Sequence, residues 1–101
     1  MGASRLIVIC DAGPLIHLAE ISGLSLLSIF ETLHIPDAVW SETVERSRVS
    51  SEDLWKLNVV QRHALPQESI AQFVQTNRLA NLHNGERECL YLCHKINIAT
   101  L

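Results

Sequence analysis

The 101-residue sequence predicts an α/β domain built on a parallel sheet. The apolar run at residues 6–10 is rich in β-branched side chains, which is typical of a strand buried on both faces. Gly13 and Pro14 then mark a turn, with Pro14 suited to the first helical position, and residues 15–19 show helical spacing of apolar side chains. Extended and helical patterns go on alternating along the chain, as they do where helices connect parallel strands.

The length and composition indicate one globular domain over residues 1–101. Apolar residues make up 48% of the chain and charged residues 19%, which excludes a disordered or collagen-like protein. The formal net charge of −3 excludes binding to polyanions through bulk positive charge alone. A nucleic-acid function would therefore need locally placed cations or a bound metal ion.

The rest of the pattern predicts further strands and helices. In order, these are a helix over 24–30, a strand at 33–35, a helix over 38–46, a loop at 47–53, an extended segment at 57–60, one or two helices over 67–82, a turn at Asn84 and Gly85, a helix over 86–96 and a strand at 98–101. Asp37 stands after Pro36 where an N-cap is expected. The chain ends where another turn and helix should follow, so we expect the domain to lack its last βα unit and to be incomplete at its C-terminus.

The cysteines and the lack of a long apolar span predict a soluble protein of the cytoplasm. Cys10, Cys89 and Cys93 are odd in number, which does not fit a disulfide framework. No run of the sequence approaches the roughly 20 apolar residues of a membrane span. Cys89 and Cys93 are followed by His94 and invite a zinc site, but their apolar stripe favours buried structural thiols.

Asp11 is the residue that says most about function. In open parallel sheets ligands bind beyond the carboxyl ends of the strands, so an acid directly after a buried strand is held at the ligand-binding edge. The same residue could instead cap the helix that follows. The sequence leaves both roles open.

Three other carboxylates are candidates for the same edge. Glu42 could be a solvated charge paired with Arg46 one turn on, and Glu86 and Glu88 could simply favour a helix start through the macrodipole. As a set with Asp11, however, carboxylates that are close together and ionised require a neutralising cation. Hard oxygen ligands suit Mg²⁺ or Mn²⁺, and such ions can activate water and stabilise the leaving oxygen of a phosphodiester.

Three segments together resemble the PIN-domain nucleases, and most of all the short prokaryotic branch related to the toxins of toxin–antitoxin pairs. They are residues 11–19 after the first strand, residues 35–44 around Glu42, and residues 85–88 at the start of a helix. The resemblance implies a three-layer α/β/α fold with a central parallel sheet. It also implies single-strand-specific endonuclease activity, mostly on RNA, with Mg²⁺ or Mn²⁺ at an acidic cluster.

By the same resemblance, Asp11, Glu42 and Glu86 match the catalytic, metal-binding acids, and Glu88 is the alternative to Glu86. Gly13 stands where many members of the family carry Ser or Thr. The family's next strand normally leads to a fourth acid, which this sequence does not include. We expect three acids to hold one ion and to hold a second ion poorly.

The sequence thus predicts a metal-dependent endoribonuclease in which metal-activated water attacks single-stranded RNA. The expected partners are RNA, an antitoxin-like protein and a second copy of the chain in a homodimer, with no membrane involved. One alternative is a catalytically weak binding module that pairs with itself or with an antitoxin-like partner. Another is an α/β domain that binds a small phosphorylated ligand without metal.

Overall fold

The computed structural model describes residues 7–96 and the backbone of residues 99–100, and its centre is a parallel sheet. The strands are β1 (Ile7–Ile9), β2 (Thr32–Pro36), β3 (Val60–His63) and β4 (Ala99–Thr100). They lie in the order β3-β2-β1-β4, and each neighbouring pair is parallel. The α/β class with a central parallel sheet is therefore confirmed.

Helical segments connect the strands and form two layers. They are α1 (Ala12–Glu20), a 3₁₀ helix (Leu24–Ile29), α2 (Asp37–Trp40), its π-helical continuation (Ser41–Glu45), α3 (Ser51–Trp55), α4 (Gln67–Thr76) and α5 (Asn84–Ile96). Strands β2 and β3 follow one another on one side of β1, and β4 pairs with β1 on its other side. Because crossovers between parallel strands are right-handed, α1 lies on one face of the sheet and α5 on the other. α2, which directly follows β2, contacts α5.

The core of the protein buries β1 on both of its faces. Ile9 in β1 and Leu33 and Ile35 in β2 are fully buried, which explains the continuous apolar runs of these strands. Leu15 of α1 and Cys89 of α5 belong to the same cluster. β1 is thus packed from both faces, so the residue that follows it emerges at a fixed place on the carboxyl edge of the sheet.

Two helices begin earlier than predicted. α1 begins at Ala12 with Asp11 as its N-cap, so Pro14 occupies the third helical position and not the first. Proline is tolerated there because the first N–H groups of a helix have no acceptor within it. α5 begins at Asn84, so Asn84 and Gly85, predicted to form a turn, are the first two residues of the helix.

The segment predicted as a loop at residues 47–53 contains the start of α3. Ser50 explains the difference, because its Oγ accepts a hydrogen bond from the backbone N of Asp53 at 3.4 Å and so caps the helix. The strand expected at residues 57–60 begins only at Val60.

The C-terminal part agrees more closely with the prediction. One helix, α4, forms within residues 67–82, where the sequence predicts one or two. The strand predicted at 98–101 is present as β4, while residues 98 and 101 lie outside the described residues. No helix in the described part of the chain has the length and apolar character needed to cross a membrane.

α2 and its π-helical continuation account for the helix predicted over 38–46. Its N-cap is Pro36 and not the predicted Asp37. Thr43 Oγ1 donates a hydrogen bond to the carbonyl oxygen of Val39 at 2.8 Å. Such a bond to a carbonyl one turn earlier competes with the backbone ladder, which explains the widening to π geometry.

A histidine pair joins β2 to β3 through side chains. His34 Nδ1 lies 2.5 Å from His63 Nε2, and the ring centroids are 4.7 Å apart. One ring must donate its N–H to a lone pair of the other, so at least one of them is neutral. Burial lowers the pKa of both rings below the ordinary 6.5, and for His34 the nearby His63 lowers it further.

We expect the free energy of unfolding to decrease as the pH falls below about 6.5. In that range the two rings bind protons more readily in the unfolded chain than in the folded chain. The stabilisation from the histidine pair is therefore fully present above this pH and is lost as the pH falls towards the lower folded-state pKa values. Chemical unfolding across this pH range measures the effect. His63→Gln should flatten the profile, whereas His17→Gln, at an exposed position of α1, should not. An equally steep profile in His63→Gln would contradict the assignment.

Candidate active site

Asp11 stands at the carboxyl end of β1, where the direction of the strand order changes. β1 lies between β2, which follows the first crossover, and β4, which follows the last. In open α/β sheets such a switch point is where ligands bind. Asp11 is half-buried, and its Oδ1 accepts a hydrogen bond from the backbone N of Ala12 at 2.7 Å. The capping role and a functional role are compatible, because the capping bond holds the carboxylate at this edge.

Glu42 approaches Asp11 at Gly85, the second residue of α5. A Cβ built on Gly85 would lie 3.0 Å from Glu42 Oε1 and 3.5 Å from Asp11 Oδ1. None of the described glycines has a positive φ, so Gly85 supplies space and not an unusual backbone conformation. The absent side chain thus lets carboxylates from two parts of the chain share the start of α5.

Glu86 lies in the first turn of α5, directly after Gly85. Its side chain is half-buried, and Oε1 accepts a hydrogen bond from the backbone N of His83 at 3.1 Å. A carboxylate that reaches back to the N–H just before its own helix is one half of a capping box. In this conformation Glu86 therefore stabilises the start of α5.

Glu88 is directed towards the neighbouring helices. Its side chain is only 6% exposed. Oε1 accepts a hydrogen bond from the backbone N of Ala38 at 2.8 Å, and Oε2 accepts one from Gln67 Nε2 at 3.3 Å. Both oxygens thus have protein donors, which link α5 to α2 and α4.

An open cleft of about 390 Å³ is bordered by two of these acids, Glu42 and Glu88. It is lined by Asp37, Ala38, Ser41, Glu42, Arg46, Gln67, Asn84 and Glu88. Arg46 forms no ion pair with Glu42, the alternative that the sequence leaves open. Among the described residues, the ion pair joins Arg62 to Asp37. Arg46 thus presents positive charge to the cleft, which suits a ligand that carries phosphate groups.

The acid pair fits a hard divalent cation. Carboxylate oxygens are the ligands that Mg²⁺ and Mn²⁺ prefer, and Mg²⁺ is commonly held by one or two carboxylates together with waters and substrate phosphates. Asp11 and Glu42 supply two carboxylates in the space that Gly85 keeps open. Within the described residues, no three His, Cys, Asp or Glu side chains come together as a set able to hold a metal ion. The pair therefore suits an ion that completes its coordination with water and phosphate.

The thiols belong to the core and form no zinc site in the described part of the chain. Cys89 is 2% exposed, and its Sγ lies 3.9 Å from the carbonyl oxygen of Cys10. Burial, with a further contribution from the negative charge of Asp11, raises the pKa of the Cys10 thiol to about 12, and the same two causes raise the pKa of Cys89. Because zinc binds thiolates, the interpretation as structural thiols is supported.

The sequence does not predict that Gly85 makes room for Glu42 and Asp11, since Asn84 and Gly85 are typical of a turn. A signal was present in the sequence. Glycine within a helix costs about 1 kcal/mol relative to alanine, so a glycine directly before the candidate ligand Glu86 indicates that another group must come close.

The fold and the acid pair define an α/β domain that presents carboxylates to a ligand at the switch point of a parallel sheet. A family model described as PIN domain matches residues 7–101, and the chain belongs to the PIN-domain family. PIN domains are generally nucleases and typically use divalent metal ions, so membership indicates a nuclease-type function. Comparison with curated proteins and with solved structures gives no match.

Replacement of Gly85 by Ala should separate stability from cation binding. The new Cβ would press on Glu42 Oε1, the free end of a flexible side chain that can move aside. Alanine favours the helix by up to about 1 kcal/mol over glycine. We expect a free energy of unfolding equal to the parent's or higher, and Mn²⁺ binding weakened by about tenfold. Urea unfolding and an electron paramagnetic resonance titration measure the two effects.

Gly13→Ala is the matched control for this variant. Gly13 lies in the first turn of α1, and a Cβ there would meet nothing within 4 Å. This variant should gain helix stability and bind Mn²⁺ like the parent. Equal Mn²⁺ affinity in Gly85→Ala and Gly13→Ala would contradict the role given to Gly85.

Proposed function

We propose that this PIN domain is a metal-dependent endoribonuclease that cleaves single-stranded RNA. The observation that carries the proposal is the approach of the Asp11 and Glu42 carboxylates at Gly85, at the switch point of a PIN-domain sheet. Two ionised carboxylates in one small space repel each other unless a cation neutralises them. The cleft that Glu42 lines is also lined by Arg46, whose positive charge suits a phosphodiester.

Asp11, Glu42 and Glu86 would hold the ion, which we propose to be Mg²⁺ or Mn²⁺. Bound there, such an ion would make water a stronger nucleophile and stabilise the leaving oxygen of the phosphodiester. Glu88 is less suited as the third ligand, because donors occupy both of its oxygens. Glu86 has one hydrogen bond among the described contacts.

The chain's own contribution is to orient the acids and to attract the substrate. The backbone N–H of Ala12 holds Asp11 at the sheet edge, and that of His83 holds Glu86 at the helix start. Arg46 offers positive charge in the cleft. Because the net charge of the chain is −3, RNA affinity has to come from such local cations and from the ion.

The test is cleavage of labelled single-stranded RNA by this chain with Mn²⁺ and with EDTA, using Asp11→Asn as the control. Asn caps a helix as well as Asp does, and its amide oxygen can still accept the Ala12 N–H, so the variant should fold. We expect cleavage by the parent only with metal, and a loss of about 100-fold or more in Asp11→Asn.

Two results would count against this function. Cleavage that persists in EDTA or in Asp11→Asn would come from a contaminant. A folded parent that neither binds Mn²⁺ nor cleaves RNA would leave the binding module as the function.

Exposed apolar side chains favour a second function, that of a binding module. Ile21, Leu26 and Ile29, at and beyond the end of α1, are 62%, 61% and 68% exposed. All three lie between residues 21 and 29, and a contiguous exposed apolar patch is typical of an interaction surface. We propose that this surface pairs with a second copy of the chain or with an antitoxin-like partner, as in the toxin–antitoxin branch of the family. The same domain can pair through it and cleave RNA at the sheet edge.

Sedimentation velocity tests the pairing with a second copy. The parent should form a dimer whose population rises with concentration, and Ile29→Glu should remain a monomer because the new charge would have to be buried. Leu90→Glu, at an exposed apolar position of α5, is the matched control and should dimerise like the parent. A parent that is monomeric at every concentration would contradict the homodimer.

We also propose that the protein acts in the cytoplasm. Cys10 and Cys89 are buried thiols, which fits a reducing compartment. RNA substrates are available there.

A further inference from the structure

The start of α2 has no cap from its own side chains. Its N-cap, Pro36, makes no side-chain hydrogen bond to the helix. Asp37, the next residue, instead accepts a hydrogen bond on Oδ1 from Arg62 Nε at 2.6 Å. The first N–H groups of a helix have no acceptor within it and are costly to bury unpaired. α2 therefore depends on an acceptor from another part of the chain.

Glu88 supplies that acceptor from α5. Its Oε1 accepts the Ala38 N–H at 2.8 Å across 50 positions of sequence. Its Oε2 accepts the side-chain N–H of Gln67, at the start of α4. Of the described acidic side chains, Glu88 is the buried one, and a carboxylate so placed needs such donors. One side chain thus joins three helices.

α2 and α5 meet at two neighbouring points. Ala38 and Glu42 are one turn apart along their helix, and Gly85 and Glu88 are one turn apart along α5. Glu88 bonds to Ala38 at one point, and Gly85 makes room for Glu42 at the other. The Glu88 bond therefore joins the two helices one turn from the place where Glu42 approaches Asp11.

We propose that Glu88 is a positioning residue of the cation site, which sets where Glu42 stands relative to Asp11 without contacting the ion. The inference rests on the proposed function and removes Glu88 from the candidate ligands. A positioning residue needs a hydrogen-bond acceptor that reaches Ala38, whereas a ligand needs negative charge. These requirements differ, so substitutions can separate them.

Two substitutions at residue 88 make opposite changes. Glu88→Gln removes the charge but keeps an oxygen that reaches the Ala38 N–H, and the Gln67 amide can rotate to meet the new side chain. Glu88→Asp keeps the charge but is one methylene too short. In a Mn²⁺ titration we expect the affinity of Glu88→Gln within about twofold of the parent's, and that of Glu88→Asp weaker by about tenfold.

The opposite order of Mn²⁺ affinities, with Glu88→Asp close to the parent and Glu88→Gln weak, would identify Glu88 as a ligand and overturn the proposal. Equal affinities in both folded variants would overturn it as well. Glu68→Gln, exposed in the first turn of α4, is the matched control for loss of one negative charge and should leave Mn²⁺ affinity unchanged.

A second measurement follows the position of Glu42 without metal. Nuclear Overhauser effects between the Gly85 Hα and Glu42 Hγ protons should be present in the parent and in Glu88→Gln, and lost in Glu88→Asp. Their retention in Glu88→Asp would overturn the positioning role whether or not metal binds. A parent that shows these effects yet neither binds Mn²⁺ nor cleaves RNA would instead overturn the proposed function.

Discussion

The close approach of α2 to α5 is the constraint on which the rest of the site depends. The place of Glu42 beside Asp11 requires a residue without a side chain at position 85, since a Cβ there would meet the Glu42 carboxylate. The approach of α2 to α5 also places the buried carboxylate of Glu88 where it pairs the N–H of Ala38, which has no acceptor within α2. β1, packed from both faces, then delivers Asp11 to the same place. The acid pair is therefore a product of helix packing as much as of the acids themselves.

The acids near the sheet edge also stabilise the fold, because their carboxylates accept hydrogen bonds from backbone N–H groups. Asp11 caps α1, Glu86 supports the start of α5 and Glu88 joins three helices, so carboxylates that look alike in the sequence do different work. Two carboxylates with a cationic side chain nearby leave part of an ion's coordination open to water and phosphate. Ion and RNA would then bind cooperatively, because each completes a site for the other, and such coupling is reciprocal.

The sequence predicts the features that arise from local patterns. The apolar run of β1 places Asp11 at the sheet edge, and the stripe of Cys89 and Leu92 identifies the buried face of α5. It does not predict the contact of Glu88 with Ala38, because no local pattern records a partner 50 positions away. Nor can it choose between Glu86 and Glu88. Residues two apart on a helix point about 200° away from each other, and the rotation of α5 is determined by what it packs against.

The separation of Asp11 and Gly85 in the sequence has a consequence for synthesis. Asp11 leaves the ribosome early, whereas α5, which contains Gly85, follows only after most of the chain. Contacts between such distant segments form late, because the intervening chain must be ordered first. A nascent chain therefore carries Asp11 and Glu42 before it has the start of α5 at which their carboxylates meet, so the site is completed only after α5 has been translated.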